Sequence, residues 1–133
     1  MTELCSHPGK ALTTHIAEVW EAAQVLFSRH RGLGPEASSR LRNWVEEAVH
    51  FHDAGKASQA FQKYIRAPEK FHGDPLEKAH TPFSFLTALL YGTKQDWSWQ
   101  KRLVVAVAAR CHHQGLMPRE EMDRDFSRLP STA

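Results

Sequence analysis

An all-α domain is what this sequence predicts, and three observations carry that reading. Apolar residues recur at steps of three and four in five separate stretches. Glycine and proline cluster in GLGP and APEKFHGDP, which read as loops within one domain. No run of residues alternates as a half-buried strand would, so no strand is expected. The chain of 133 residues is long enough for one compact domain with a core and too short for two ordinary ones, so residues 1–133 are read as a single domain.

The first helix is expected from Lys10 to about His30, where Leu12, Ile16, Val19, Ala23 and Leu26 share one face before RGLGP stops it. His15 lies on or beside that face. A second helix is expected from about Glu36 to Ala54, with Leu41, Trp44, Val45, Ala48, Val49 and His52 inward and Gly55 as its C-cap. A shorter helix from about Ser58 turns Phe61, Tyr64 and Ile65 inward and closes at Pro68. Thr81 can cap a fourth helix, with Pro82 in the first turn where its missing donor costs nothing, and His80 just before the cap. A fifth runs from near Ser98 through Leu103, Val104, Val107 and Ala108 to Cys111, His112 and His113, ahead of Gly115. A weaker terminal helix is expected over 119–128.

Composition excludes several classes. The 17 basic and 15 acidic side chains leave a formal charge of +2, which tolerates a polyanionic partner without requiring one. Cys5 and Cys111 have no C-x-x-C spacing, which argues against a disulfide framework or a cysteine zinc site and suits a reducing cytoplasm. The start MTELCSHPGK lacks the apolar run of a signal peptide, and LVVAVAA at 103–109 falls far short of the roughly 20 residues needed to span a bilayer. A soluble protein with no membrane partner is expected.

Nine histidines are an excess for a domain of this size, and their positions are informative. His15, His52 with Asp53, His80, and His112 with His113 lie on the inner faces or at the ends of four different helices. Ligands from facing helices can converge on one metal cavity in a helical bundle. Alone, His15 could be a satisfied core histidine, and the pair at 112 and 113 could merely complement a helix C-terminus. Asp53 resists such a reading, because a carboxylate continuing a buried face needs a partner or a cation. His52 and Asp53 point about 100° apart, so they can grip one ion, or the carboxylate can bridge two. His7, His30, His50 and His72 are left outside the site.

The run His52-Asp53-x-Gly-Lys56, followed by Phe61-Gln62, resembles the HD superfamily of metal-dependent phosphohydrolases. In particular it resembles the HD nuclease domain of the CRISPR-associated helicase-nuclease of type I interference systems. The histidine in THIAEVW, the one opening AHTPFSFLTALL, and the pair in HHQG extend the similarity over about residues 10 to 115. The resemblance implies the all-α HD fold, with His15, His52 and Asp53 on a first metal, Asp53, His80, His112 and His113 on a second, and Asp53 bridging. It implies Lys56 near the substrate phosphate, one or two divalent transition-metal ions (iron, manganese, nickel, cobalt or zinc), and cleavage of single-stranded DNA beside a helicase and an effector complex.

The family carries a further aspartate ligand well after the histidine pair, and Asp123 and Asp125 stand too close to match it. Either the chain is an N-terminal piece of the family domain, or water or another chain completes the first metal. No G-x-x-x-x-G-K-[ST] phosphate loop is present, so an unwinding engine is expected on a separate polypeptide. Two other readings stay open: a hydrolase of nucleotides or cyclic dinucleotides, the latter disfavoured by the lack of G-Y-P after HHQG, and a truncated HD fold that binds metal without turnover. Trp97 and Trp99, with Lys94, Lys101 and Arg102 around them, either cap the core or offer a path for an unpaired strand.

Overall fold

The computed structural model describes residues 3–29 and 32–114. The expected terminal helix, together with His30, Gly115, Asp123 and Asp125, lies outside the described residues. Five α-helices form the body: α1 Leu12–Arg29, α2 Pro35–Phe51, α3 Gln59–Arg66, α4 His80–Lys94 and α5 Trp99–Cys111. The all-α class expected from periodicity is the class observed.

One expectation is corrected at the N-terminus, where β1 (Cys5–His7) pairs antiparallel with β2 (Lys10–Ala11). The strands are too short for alternation to register in the sequence. Pro8 and Gly9 make the turn between them, and Gly9 takes a φ of +74°, a backbone region that side chains disfavour. Since Lys10 and Ala11 belong to this hairpin, α1 begins two residues later than expected. The Leu12 N–H donates to the Leu4 carbonyl at 2.8 Å, so hairpin and helix are continuous.

Two cap assignments are also corrected. Gly55 does not end α2: the helix closes at Phe51 with His52 as C-cap, and Ala54–Ala57 form a 3₁₀ turn. Thr81 does not cap α4, which starts two residues earlier, at His80, with Ala79 as an N-cap that makes no side-chain bond. The Thr81 hydroxyl instead accepts from Arg110 Nη1 at 3.1 Å, linking the first turn of α4 to the last turn of α5. Pro35 opens α2, while Ser58 and Ser98 accept from the Phe61 and Lys101 N–H groups to cap α3 and α5.

The core sits between α4 and α5, around Phe85, Ala88, Val105 and Ala106, with Phe51, Leu86, Leu89, Trp97 and Val107 packed against it. Ala88, Ala106 and Ala109 are fully buried, and side chains this small let the two helices approach closely. The α2 helix packs on α5, whereas α1 packs on α2 and the hairpin. Leu26 and Leu41, expected inward, are exposed and border an apolar groove with Ala23, Phe27 and Val45. Their stripes continue along α1 and α2 into that groove. No helix among the described residues is long and apolar enough to cross a membrane.

Trp97 lies in edge contact with Phe51 and Tyr91, and its backbone N–H donates to the Gly92 carbonyl at 2.9 Å. The Lys101 ammonium stacks over the Trp97 ring at 4.0 Å and reaches Glu47 at 3.2 Å, while Arg102 donates to Thr93 Oγ1 at 3.0 Å. Trp97 therefore caps the core. Lys101 and Arg102 are engaged within the protein, at the end of α5 farthest from His112. Trp99, the other tryptophan of this corner, is exposed, as is Lys94.

Candidate metal centre

Asp53 is the centre of the site, with 1% of its surface exposed. It follows the C-cap of α2, and the 3₁₀ turn after it closes when the Lys56 N–H donates to the Asp53 carbonyl at 2.9 Å. That turn folds the Lys56 side chain back, bringing its ammonium to 2.8 Å from Asp53 Oδ2. Lys56 was expected near a substrate phosphate; its side chain is 5% exposed and lies against the carboxylate.

The two carboxylate oxygens face different sets of imidazoles. Oδ2 lies 3.0 Å from His15 Nε2 and 3.4 Å from His52 Nε2. Oδ1 lies 3.1 Å from His80 Nε2 and 3.3 Å from His112 Nε2. Within the first set the His15 and His52 Nε2 atoms are 3.3 Å apart. Within the second, His80 Nε2 is 3.4 Å from His112 Nε2 and 3.1 Å from His113 Nε2. All six ligand residues expected from the sequence thus meet, in one group of His15, His52 and Asp53 and another of Asp53, His80, His112 and His113.

Each ring is aimed by its element. His15 stands in the first turn of α1, His80 opens α4, and His52 and His112 are the C-caps of α2 and α5. His52 Nδ1–H donates to the Val49 carbonyl at 2.6 Å, and His112 Nδ1–H to the Ala109 carbonyl at 2.9 Å. These bonds hold each ring with Nε2 toward Asp53, the orientation found behind metal-ligating histidines.

Gly55 is needed for closeness of approach. A Cβ there would stand 2.0 Å from the His80 carbonyl oxygen, and the Gly55 N–H donates to Ser84 Oγ at 2.9 Å. The glycine lets the turn after Asp53 press against the first turn of α4, which is what brings His80 to the carboxylate.

The donor set fits a divalent cation. Neither Asp53 oxygen has a hydrogen bond of regular geometry, despite burial and the polar atoms around it. Donor atoms bound to one transition metal at about 2.0–2.1 Å are separated by roughly 2.9–3.4 Å, depending on geometry, and the spacings here fall in that window. Burial opposes ionisation of Asp53, but contacts from His112, His52, His80 and Lys56 outweigh it and hold the carboxyl far below its ordinary range. Burial also holds His15, His80 and His113 below the usual imidazole value, more than the Asp53 charge can offset. For His52 burial is outweighed by Asp53 and the Val49 carbonyl, and the value rises. Three of the five imidazoles are therefore biased toward the neutral form that binds metal.

Among the histidines left out, His50 is exposed and donates to the Glu46 carbonyl, and His72 is exposed. His7 is different: its ring lies 5.2 Å from that of His15, at the rim of the site, with Nδ1 3.1 Å from Ser6 Oγ. Sequence reasoning missed it because the hairpin that carries it was not foreseen. Ser84, buried beside the HD turn, gave no periodic signal of its own, whereas Gln62, also buried there, was marked only through the Phe61-Gln62 resemblance. The further aspartate of the resemblance has no counterpart among the described residues after His113.

A family model described as "Cas3, HD domain" matches residues 6–132. The "CRISPR-associated nuclease/helicase Cas3" of Haloferax volcanii is 32% identical over 105 residues, which cover 79% of this chain and 10% of that protein. The chain thus spans about a tenth of the length of the curated relative it matches. No solved structure matches it.

Proposed function

The chain belongs to the Cas3 HD-domain family, and on that premise we propose that it hydrolyses phosphodiester bonds of single-stranded DNA with bound divalent transition-metal ions. The observation that carries this reading is the division of Asp53, one oxygen toward His15 and His52 and the other toward His80 and His112. His15, His52 and Oδ2 would hold a first ion, and Oδ1, His80, His112 and His113 a second. Such ions supply Lewis acidity toward a phosphoryl oxygen and lower the pKa of bound water.

The protein's own part is to place and tune these ligands. Asp53 spans both sets and adds a negative charge, while Val49 and Ala109 orient His52 and His112 through their carbonyls. Lys56 acts through Asp53: its ammonium steadies Oδ2 and adds positive charge beside the ligand set. No protein nucleophile is required. The relative is named a nuclease/helicase, and only a tenth of it is matched here. That supports a setting in which this domain works in the cytoplasm beside a helicase and a CRISPR effector complex, with the helicase feeding it an unpaired strand.

The test sets a single-stranded oligonucleotide beside nucleoside triphosphates, nucleoside monophosphates and cyclic dinucleotides, with manganese, cobalt, nickel, iron or zinc supplied in turn. Cleavage of the oligonucleotide, abolished by chelation and restored by metal, is the expected result. Turnover of the small nucleotides with an intact oligonucleotide would reassign the chain to the nucleotide-hydrolysing branch of the superfamily.

A further inference from the structure

Gln62 is 5% exposed, and its side chain is fully engaged by backbone. Oε1 accepts from the Cys5 N–H at 3.0 Å, and Nε2 donates to the Cys5 carbonyl at 2.8 Å and to the Lys56 carbonyl at 2.8 Å. The amide thus pairs with both groups of Cys5 as a neighbouring strand would, and spends its other N–H on the turn beside Asp53. Fifty-seven residues separate Cys5 from Gln62, so no local preference brings them together.

The two anchored segments carry different halves of one ligand set. Cys5 pairs with Ala11 across the hairpin, and Leu12 bonds back to Leu4, so the position of β1 sets where α1 begins and where His15 points. Lys56 belongs to the 3₁₀ turn that follows His52 and Asp53. The other set has supports of its own: α4 and α5 are packed through Ala88, Val105 and Ala106, and Ser84 ties the turn to α4 through the Gly55 N–H.

We propose that Gln62 is a positioning residue for the first ion, clamping the hairpin that aims His15 onto the turn that carries Asp53. The proposal rests on the metal-centre reading above. Gln62→Met keeps the length of the side chain but leaves the Cys5 N–H, the Cys5 carbonyl and the Lys56 carbonyl without their partner, and the link between hairpin and turn is lost.

The experiment counts cobalt(II) bound to the full chain by titration and reads its absorption spectrum. Wild type is expected to take two ions. Gln62→Met is expected to bind the first at least about tenfold more weakly while retaining the second, so that its spectrum matches that of His15→Ala and not that of His113→Ala. Val105→Ala, in the α4–α5 core, serves as a comparably destabilised control and should keep both ions. If Gln62→Met does not fold, Gln62→Glu, which still accepts from Cys5, is read in the same way. Ion number and affinity unchanged from wild type in the folded Gln62 variant overturn the positioning role, as does an equal loss in Val105→Ala. A wild-type chain that binds no ion overturns the metal centre itself, and the positioning role with it.

Discussion

Asp53→Asn is expected to abolish ion binding in both ligand sets and to lower metal-dependent cleavage by about 10³-fold or more, since several kcal/mol of transition-state stabilisation depend on the bound ions. The substitution preserves shape but removes the charge, and its NH₂ group turns a donor toward one imidazole set. A second effect must be separated from this one. The Lys56 ammonium, 2.8 Å from Oδ2 with its side chain 5% exposed, would lose its counter-charge. Removing one member of a buried pair typically costs about 3–5 kcal/mol. Asp53→Asn combined with Lys56→Met removes both charges and should recover much of the thermal stability while leaving cleavage abolished. Calorimetry, metal analysis and an oligonucleotide assay on the single and double variants check this. Metal-stimulated cleavage within about tenfold of wild type in Asp53→Asn would contradict the bridging role assigned to this carboxylate.

Gly55→Ala should be almost as damaging, although it touches no metal ligand side chain. The added methyl would sit 2.0 Å from the His80 carbonyl oxygen and 2.9 Å from both the His80 carbonyl carbon and the Ser84 nitrogen. All three are backbone atoms, so no side-chain rotation relieves the clash and the first turn of α4 must move. Overpacking commonly costs about 1–3 kcal/mol, and a rigid backbone neighbour places this case at the upper end or beyond. A fall in Tm on the order of 10 °C follows for a domain of this size. The displacement carries His80 away from Asp53 Oδ1, so the second ion should bind at least about tenfold more weakly while the first is spared. Gly34→Ala, where a Cβ meets nothing within 4 Å, is the matched control and should leave Tm and ion binding near wild type. Equal behaviour of the two alanine variants would remove the structural reason given for the glycine.

How much of this was legible before folding differs from residue to residue. The apolar stripes of α1, α2, α4 and α5 are local patterns with the period of the helix, so their existence could be read directly and their ends only to within a few residues. The hairpin at Cys5–Ala11 could not, because two and three residues are too few to display a period. Thr81 looked like a cap from its neighbours alone; its hydroxyl is taken by Arg110, 29 residues away. Local sequence could not show that Glu47 and Thr93 engage Lys101 and Arg102 beside Trp97.

The sequence by itself determined the helical class and which imidazole and carboxylate groups stand near helix ends, since both are properties of neighbouring residues. Only the tertiary structure decided that one oxygen of Asp53 faces His15 and His52 while the other faces His80 and His112, that Gly55 must lack a side chain, and that Gln62 joins the hairpin to the HD turn. Each of those depends on the angle and distance at which segments remote in the chain pack together, and no local pattern encodes that geometry.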